Sequence, residues 1–180
     1  MSKRVVEAWI SSNLFEVGLG YVAVCRRKNN GEYELGLFLL DVQCLGAKNA
    51  DFQKLGASEI EGTLERLFQD CGKQNMSPAC ARKLVESAVA YARNLGLPPH
   101  EDYHKACRVF GGIDPAECVD VFTFGKDGKP LYVQGPHDSD TFAQEVIRRL
   151  SDKCGPENFH YIVGEPLTDF GEDDDEEDVA

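Results

Sequence analysis

Residues 15–27, FEVGLGYVAVCRR, and 33–44, YELGLFLLDVQC, flank Asn29-Asn30-Gly31, and this is the stretch that decides the fold. Both runs are rich in aromatic and β-branched side chains, and an Asn-Gly pair between two such runs supplies the positive φ that a hairpin turn needs. The spacing predicts an antiparallel hairpin. Its second arm is apolar through Leu37-Phe38-Leu39-Leu40 without alternation, the pattern of an interior strand covered on both faces and not of an edge. Gly18 and Gly20 fall inside the first arm, where they predict a bulge or a close approach by another part of the chain. No helix start follows them, so Gly-Leu-Gly is not read as a phosphate cradle.

Downstream the period changes from two to 3.6. Ser58-Glu59-Ile60-Glu61 matches a capping box, followed by Ile60, Leu64, Leu67 and Phe68 on one stripe. Ser77-Pro78 opens a second helix whose Ala81, Leu84, Val85, Ala88, Ala92 and Leu95 repeat at helical spacing until Gly96 and Pro98. A third helix is predicted over PHEDYHKACRVF, residues 99–110, before Gly111-Gly112. Residues 118–124, CVDVFTF, and 131–133, LYV, around Asp127-Gly128 predict a second hairpin, with Pro130 at a strand start or edge. Asp138 or Ser139 is expected to cap a last helix carrying Phe142, Val146, Ile147 and Leu150, and residues 159–163, FHYIV, to form a final strand.

Two hairpins, a C-terminal strand and about four helices give an α+β fold with a largely antiparallel sheet. A chain of 180 residues buries enough surface for one domain. The reading is a single domain over residues 1–168 and an acidic, disordered tail over 169–180. In that tail Glu172, Asp173, Asp174, Asp175, Glu176, Glu177 and Asp178 are consecutive, supplying seven of the twelve net negative charges and leaving the rest at −5. Such a run repels itself and has nothing to bury.

Residues 38–50, FLLDVQCLGAKNA, and 122–136, FTFGKDGKPLYVQGP, resemble stretches of small conserved bacterial proteins of unknown function. The resemblance implies a bacterial, cytosolic protein and transfers no mechanism.

Composition narrows the function classes. No apolar run approaches the roughly 18 residues of a membrane span. The opening MSKRVVEAWISSNLF lacks the continuous apolar segment of a secretory signal, which predicts a cytoplasmic address. Seven cysteines at irregular spacing, with no C-x-x-C pair, are read as reduced thiols, neither a disulfide framework nor a zinc ribbon. A mildly acidic body disfavours nucleic-acid phosphates as partners.

The segment HEDYH matches the H-E-x-x-H zinc signature, in which two histidines four apart on a helix share a metal and the glutamate acts as general base. That assigns His100 and His104 as ligands and Glu101 as base in one reading. Pro98-Pro99, however, puts His100 in the first helical turn, and Tyr103, Ala106, Cys107 and Phe110 form an apolar arc that explains the segment as packing. Glu101 and Asp102 also suit the positive end of a helix. Cys107 lies about 10 Å along the axis from His100, too far to be a third ligand. Cys44 as a thiol nucleophile, with His104, His137 or His160 as base, has no spacing to select it, and reads as a small buried hydrophobe. Capping explains the cluster GPHDSD, residues 135–140, better than a catalytic triad does.

The expectation is therefore a non-enzymatic cytosolic protein, an adaptor or regulatory subunit, that binds another macromolecule and above all a protein. Trp9 and the residues 172–178 are the candidate contacts, the latter steering a partner with a basic surface. No cofactor is expected. The alternatives are a zinc-dependent hydrolase built on HEDYH and an acidic mimic of nucleic acid acting as an inhibitor.

Overall fold

A computed structural model describes residues 6–164; the acidic run 172–178 and the 168/169 boundary lie outside the described residues. The chain runs β1 (Val6–Ser11), α1 (Leu14–Val17), β2 (Leu19–Arg27), β3 (Tyr33–Asp41), β4 (Gly46–Leu55), α2 (Ala57–Phe68), β5 (Lys73–Met76), α3 (Pro78–Asn94), α4 (Tyr103–Ala106), β6 (Leu131–Val133), α5 (Asp140–Cys154) and β7 (His160–Ile162). Strands β1 to β5 form one antiparallel sheet in the order β4-β3-β2-β1-β5, so the fold is α+β as the sequence predicts.

The first hairpin forms with Arg27 opposite Tyr33 and Leu19 opposite Asp41. Strand β3 pairs on both sides, and both its faces are covered. One face of the sheet presents Ile10, Val22, Val24, Phe38 and Leu40 to Leu84, Val85, Ala88 and Val89 of α3 and to Val109 and Phe110. The other presents Trp9, Ala23, Cys25 and Leu35 to Leu64 and Phe68 of α2. Burying Leu84, Val85 and Val89 is worth roughly 1.5–3 kcal/mol apiece, and the alanines among them let α3 lie close to the sheet. Gly46 shows how close: its φ is +66°, and a Cβ there would sit 2.8 Å from the Ala88 carbonyl oxygen. A second, smaller core joins the end of α3 to α5, to β6 and to Phe159 just before β7, around Cys44, Ala92, Tyr132, Val146 and Leu150.

Several local expectations are corrected. The second hairpin does not form: Asp127 (φ 51°) and Gly128 (φ 79°) make the turn, closed by a Lys126–Lys129 bridge, but residues 118–124 carry no strand. Strand β6 instead pairs in parallel with β7 across α5, since a parallel partner requires such a crossover helix. The α2 cap is Gly56, whose amide donates to Glu59 Oε2 at 2.7 Å, and not Ser58. Over residues 99–110 the helix is only α4, a single turn, continued as a 3-10 turn from Cys107 to Phe110. Ser77 and Ser139 cap α3 and α5 as predicted, accepting from the Cys80 and Phe142 amides. No helix among the described residues is long and apolar enough to cross a membrane.

Candidate functional site

A groove lies where β3 turns into β4. Asp41 ends β3, and its Oδ1 accepts from the Gln43 and Cys44 amides at 2.9 Å each, an Asx turn that reverses the chain. Beyond Gly46, Leu40 is opposite Ala47 and Leu39 opposite Asn49, so Lys48 is the extra residue of an irregularity in the ladder. A bulge re-aims its side chain. Lys48 Nζ donates to Asp138 Oδ2 at 2.9 Å, and the same oxygen accepts from the Gly135 amide at 2.8 Å and the Tyr132 hydroxyl at 3.2 Å. The Gln134 side-chain amide braces this turn by donating to the Asp138 carbonyl and to Asp140 Oδ1, each at 3.1 Å. Gly135 fits the crowding: a Cβ there would be 2.7 Å from Lys48 Nζ.

These contacts set the electrostatics. Burial alone pushes the Asp138 carboxyl up, but the Gly135 amide, the Lys48 ammonium and the Tyr132 hydroxyl outweigh it and hold its pKa below the usual carboxylate value. Tyr132 is pushed well up by burial and by the Asp138 carboxylate. Asp41, 8% exposed, is pushed up by burial, which wins over the amides and Lys48. One cleft therefore holds two carboxylates driven in opposite directions.

Two adjoining hollows, of about 310 and 270 Å³, open on these groups and share Leu19, Lys48, Gly135 and Pro136 as walls. The first adds Tyr21, Leu39 and His137; the second adds Asp41, Gln43, Val17 and Val133. The rim is apolar and exposed: Val17 is 56% accessible, Leu19 42% and Val133 44%. Val133 is in register with Ile162 of β7, itself 59% accessible, which carries the rim onto the small sheet.

Of the residues singled out in the sequence, His137 and Asp138 of the GPHDSD cluster border the first hollow, whereas His100, Glu101, His104 and Trp9 lie elsewhere. His100 precedes α4: its amide donates to the Ala47 carbonyl at 2.9 Å, and its Nδ1 accepts from the Asp102 amide at 3.2 Å. His104 is exposed on α4, its ring edge-on to Tyr103 at 5.1 Å. With Glu101 the two histidines border an open hollow of about 540 Å³ that Arg93 and Arg149 also line. Among the described residues they are not part of a group of three or more convergent ligand atoms. Trp9 is half-buried under α2, with Lys73 Nζ 5.8 Å above its ring. Cys44 is fully buried, and burial and the Asp41 carboxylate push its thiol far up, against a role as nucleophile.

The cysteines need correction too. Cys80 and Cys118 are joined by a disulfide, while Cys25, Cys44, Cys71, Cys107 and Cys154 are free. Irregular spacing argues against a framework but not against one bridge, and the fold lays residue 118 against the first turn of α3.

Lys48, Asp41 and Asp138 were not singled out as a site by the sequence. The available signal is that residues 38–50 and 122–136, the segments carrying the resemblance, supply most of the groove: Asp41, Gln43 and Lys48 from one, Leu131 to Pro136 from the other. No protein-family model, curated protein or solved structure matches the chain.

Proposed function

We propose that this protein is a cytoplasmic protein-binding module and that the groove between Lys48 and the turn at Gly135 is its contact face. The carrying observation is the exposed apolar rim of Val17, Leu19, Val133 and Ile162 around a cleft in which Lys48, Tyr132 and Asp138 bond to one another. Exposed apolar side chains gathered at a groove mark an interaction site. Here Lys48 and Tyr132 both donate to Asp138, Asp41 accepts from two amides, and Cys44 is sealed from solvent.

The partner that fits is a protein segment with one or two apolar side chains to enter the hollows and basic residues beside them. The chain's net charge of −12 steers such a partner during encounter. The test is affinity capture with the full chain, comparing wild type with Leu19→Asp, Val133→Asp and the distant control Glu65→Lys. We expect one partner, purified and identified, whose affinity falls at least tenfold in the two rim variants and stays unchanged in the control. A partner bound equally by all four proteins places the interface elsewhere and overturns the reading.

A further inference from the structure

Cys80, Cys118 and Asp120 lie together at the first turn of α3, and among the described residues they are the one group of three convergent metal-ligating side chains, all ligand atoms falling within 4.8 Å of one another. Cys80 stands in the first turn of α3, its amide donating to the capping Ser77 hydroxyl at 3.1 Å. Cys118 and Asp120 lie on the segment that follows the turn at Pro115–Glu117. We propose that the disulfide is one of two states of this site, and that its reduced state binds a thiophilic divalent cation of the Zn²⁺ class through both sulfurs and the Asp120 carboxylate.

The geometry requires little movement. Zn–S bonds of about 2.3 Å and Zn–O bonds of about 2.0–2.2 Å put the ligand atoms of a tetrahedral site roughly 3.4–3.8 Å apart. Asp120 Oδ2 already lies 3.5 Å from Cys80 Sγ. The two sulfurs have to separate, and with their Cα atoms 4.9 Å apart a side-chain rotation achieves this. The ligand loop does not depend on the disulfide for its position: Lys83 Nζ donates to the Cys118 and Asp120 carbonyls at 2.9 and 2.7 Å, and the Cys118 amide donates to Pro115 O at 3.2 Å.

Charge favours the same occupant. Two thiolates and a carboxylate carry −3, a divalent cation reduces this to −1, and the adjacent Lys83 ammonium together with the N-terminus of α3 balances the remainder. Paired sulfur ligands select soft or borderline ions over Mg²⁺ and Ca²⁺. Three protein ligands leave the fourth position to water, or to a ligand from a partner, on the side where Asp120 is exposed.

The interconversion balances with a low-molecular-weight thiol as reductant: two RSH reduce the Cys80–Cys118 bond to two protein thiols and leave as RSSR. Cation binding then displaces the two thiol protons to solvent. A compartment poised to reduce thiols selects the metal-binding state, and an oxidising one the disulfide.

The experiment uses the full chain, reduced anaerobically with a phosphine and titrated with Co²⁺ as an optical probe, then with Zn²⁺. We expect one Co²⁺ per chain, with the intense visible bands and the sulfur-to-cobalt charge-transfer band of a tetrahedral thiolate site, bleached by Zn²⁺. Oxidised protein should show neither band, and Asp120→Asn should weaken binding at least tenfold. The Cys80→Ser/Cys118→Ser pair should abolish the bands. A measurement without variants runs beside these: Zn²⁺ should protect Cys80 and Cys118 of the reduced wild type from iodoacetamide, read peptide by peptide, while Cys71, Cys107 and Cys154 stay unprotected. Absent bands in the reduced wild type, bands that persist in the double variant, equal affinity in Asp120→Asn, or protection falling on other cysteines would each overturn the proposal.

Discussion

Asp138→Ala tests whether the groove is held by one oxygen. In the native protein Asp138 Oδ2 accepts from an ammonium, an amide and a hydroxyl, with the Lys48 side chain 21% exposed and that of Asp138 10%. Removing the carboxylate strands three donors, and each unsatisfied buried group costs about 1–3 kcal/mol. Lys48 can rehydrate through its exposed side, whereas Tyr132 is fully buried and cannot. The expected loss is on the order of 2–4 kcal/mol, near the lower end of what breaking a buried pair costs. Asp138→Asn keeps an acceptor and loses the charge, so about half that loss is expected. The sign with pH follows from the direction of the shift. Because the native carboxyl titrates below its unfolded value, its contribution is fully present above about pH 4 and is lost as pH falls through the lower native value. Urea titrations followed by circular dichroism at pH 7, 5 and 3 should show the gap between wild type and Asp138→Asn narrowing on acidification. A loss under 0.5 kcal/mol for Asp138→Ala, or a gap that widens toward pH 3, refutes the reasoning.

Asp41 should behave with the opposite sign. Burial raises its native pKa, so wild type loses stability as pH climbs from the unfolded carboxylate value through the native one, and Asp41→Asn should gain relative to wild type over that window in the same titrations. Gly46→Ala should cost about 2–4 kcal/mol, combining left-handed strain with overpacking against Ala88, and be seen as a lower urea midpoint at unchanged slope. Reducing the Cys80–Cys118 bond, which spans a sequence separation of 38, should lower stability by ~3.9 kcal/mol if chain entropy is the whole effect, measured with and without a phosphine in metal-free buffer.

The sheet was legible in the sequence where both of its faces are greasy and obscure where they are not. β3 announced itself because α3 lies on one side and α2 on the other, so neither face could be polar. β4 did not: its edge position leaves Lys48, Asn49 and Lys54 among its ten residues, and α3 approaches so closely that only the small Gly46, Ala47 and Ala50 are buried. β5, KQNM, has three exposed residues and one half-buried, and carries no apolar signal at all. The turn at Asp127-Gly128 was read correctly for its φ values, but hairpin pairing requires both arms to stay together. Here the Gly125 amide is taken by the Val42 carbonyl and Pro130 has no amide to give, so the arms part. The sequence reads Asp138 as a cap in preference to a triad member; Ser139 takes the cap position and frees the carboxylate for Lys48, a contact 90 residues away that no local pattern encodes.

That same parting of the arms connects the two sites described here. Between the turn and Cys118, residues 119–124 pass from the sulfur cluster toward the groove, and Phe122 stacks on Phe15 with ring centroids 6.0 Å apart while Phe124 stacks on Tyr91 at 5.4 Å. Phe15 is two residues from Val17 on the groove rim, and the Gly125 amide is bonded to Val42 within the Asp41 turn. Whatever holds Cys118 and Asp120, a disulfide or a cation, therefore fixes one end of a seven-residue span whose other end braces the groove. Val119 and Val121, 90% and 85% exposed, face outward along that span. The alternation of inward Cys118 and Phe122 with outward valines is the strand pattern seen in the sequence, used here to tie two surfaces together and not to build a ladder.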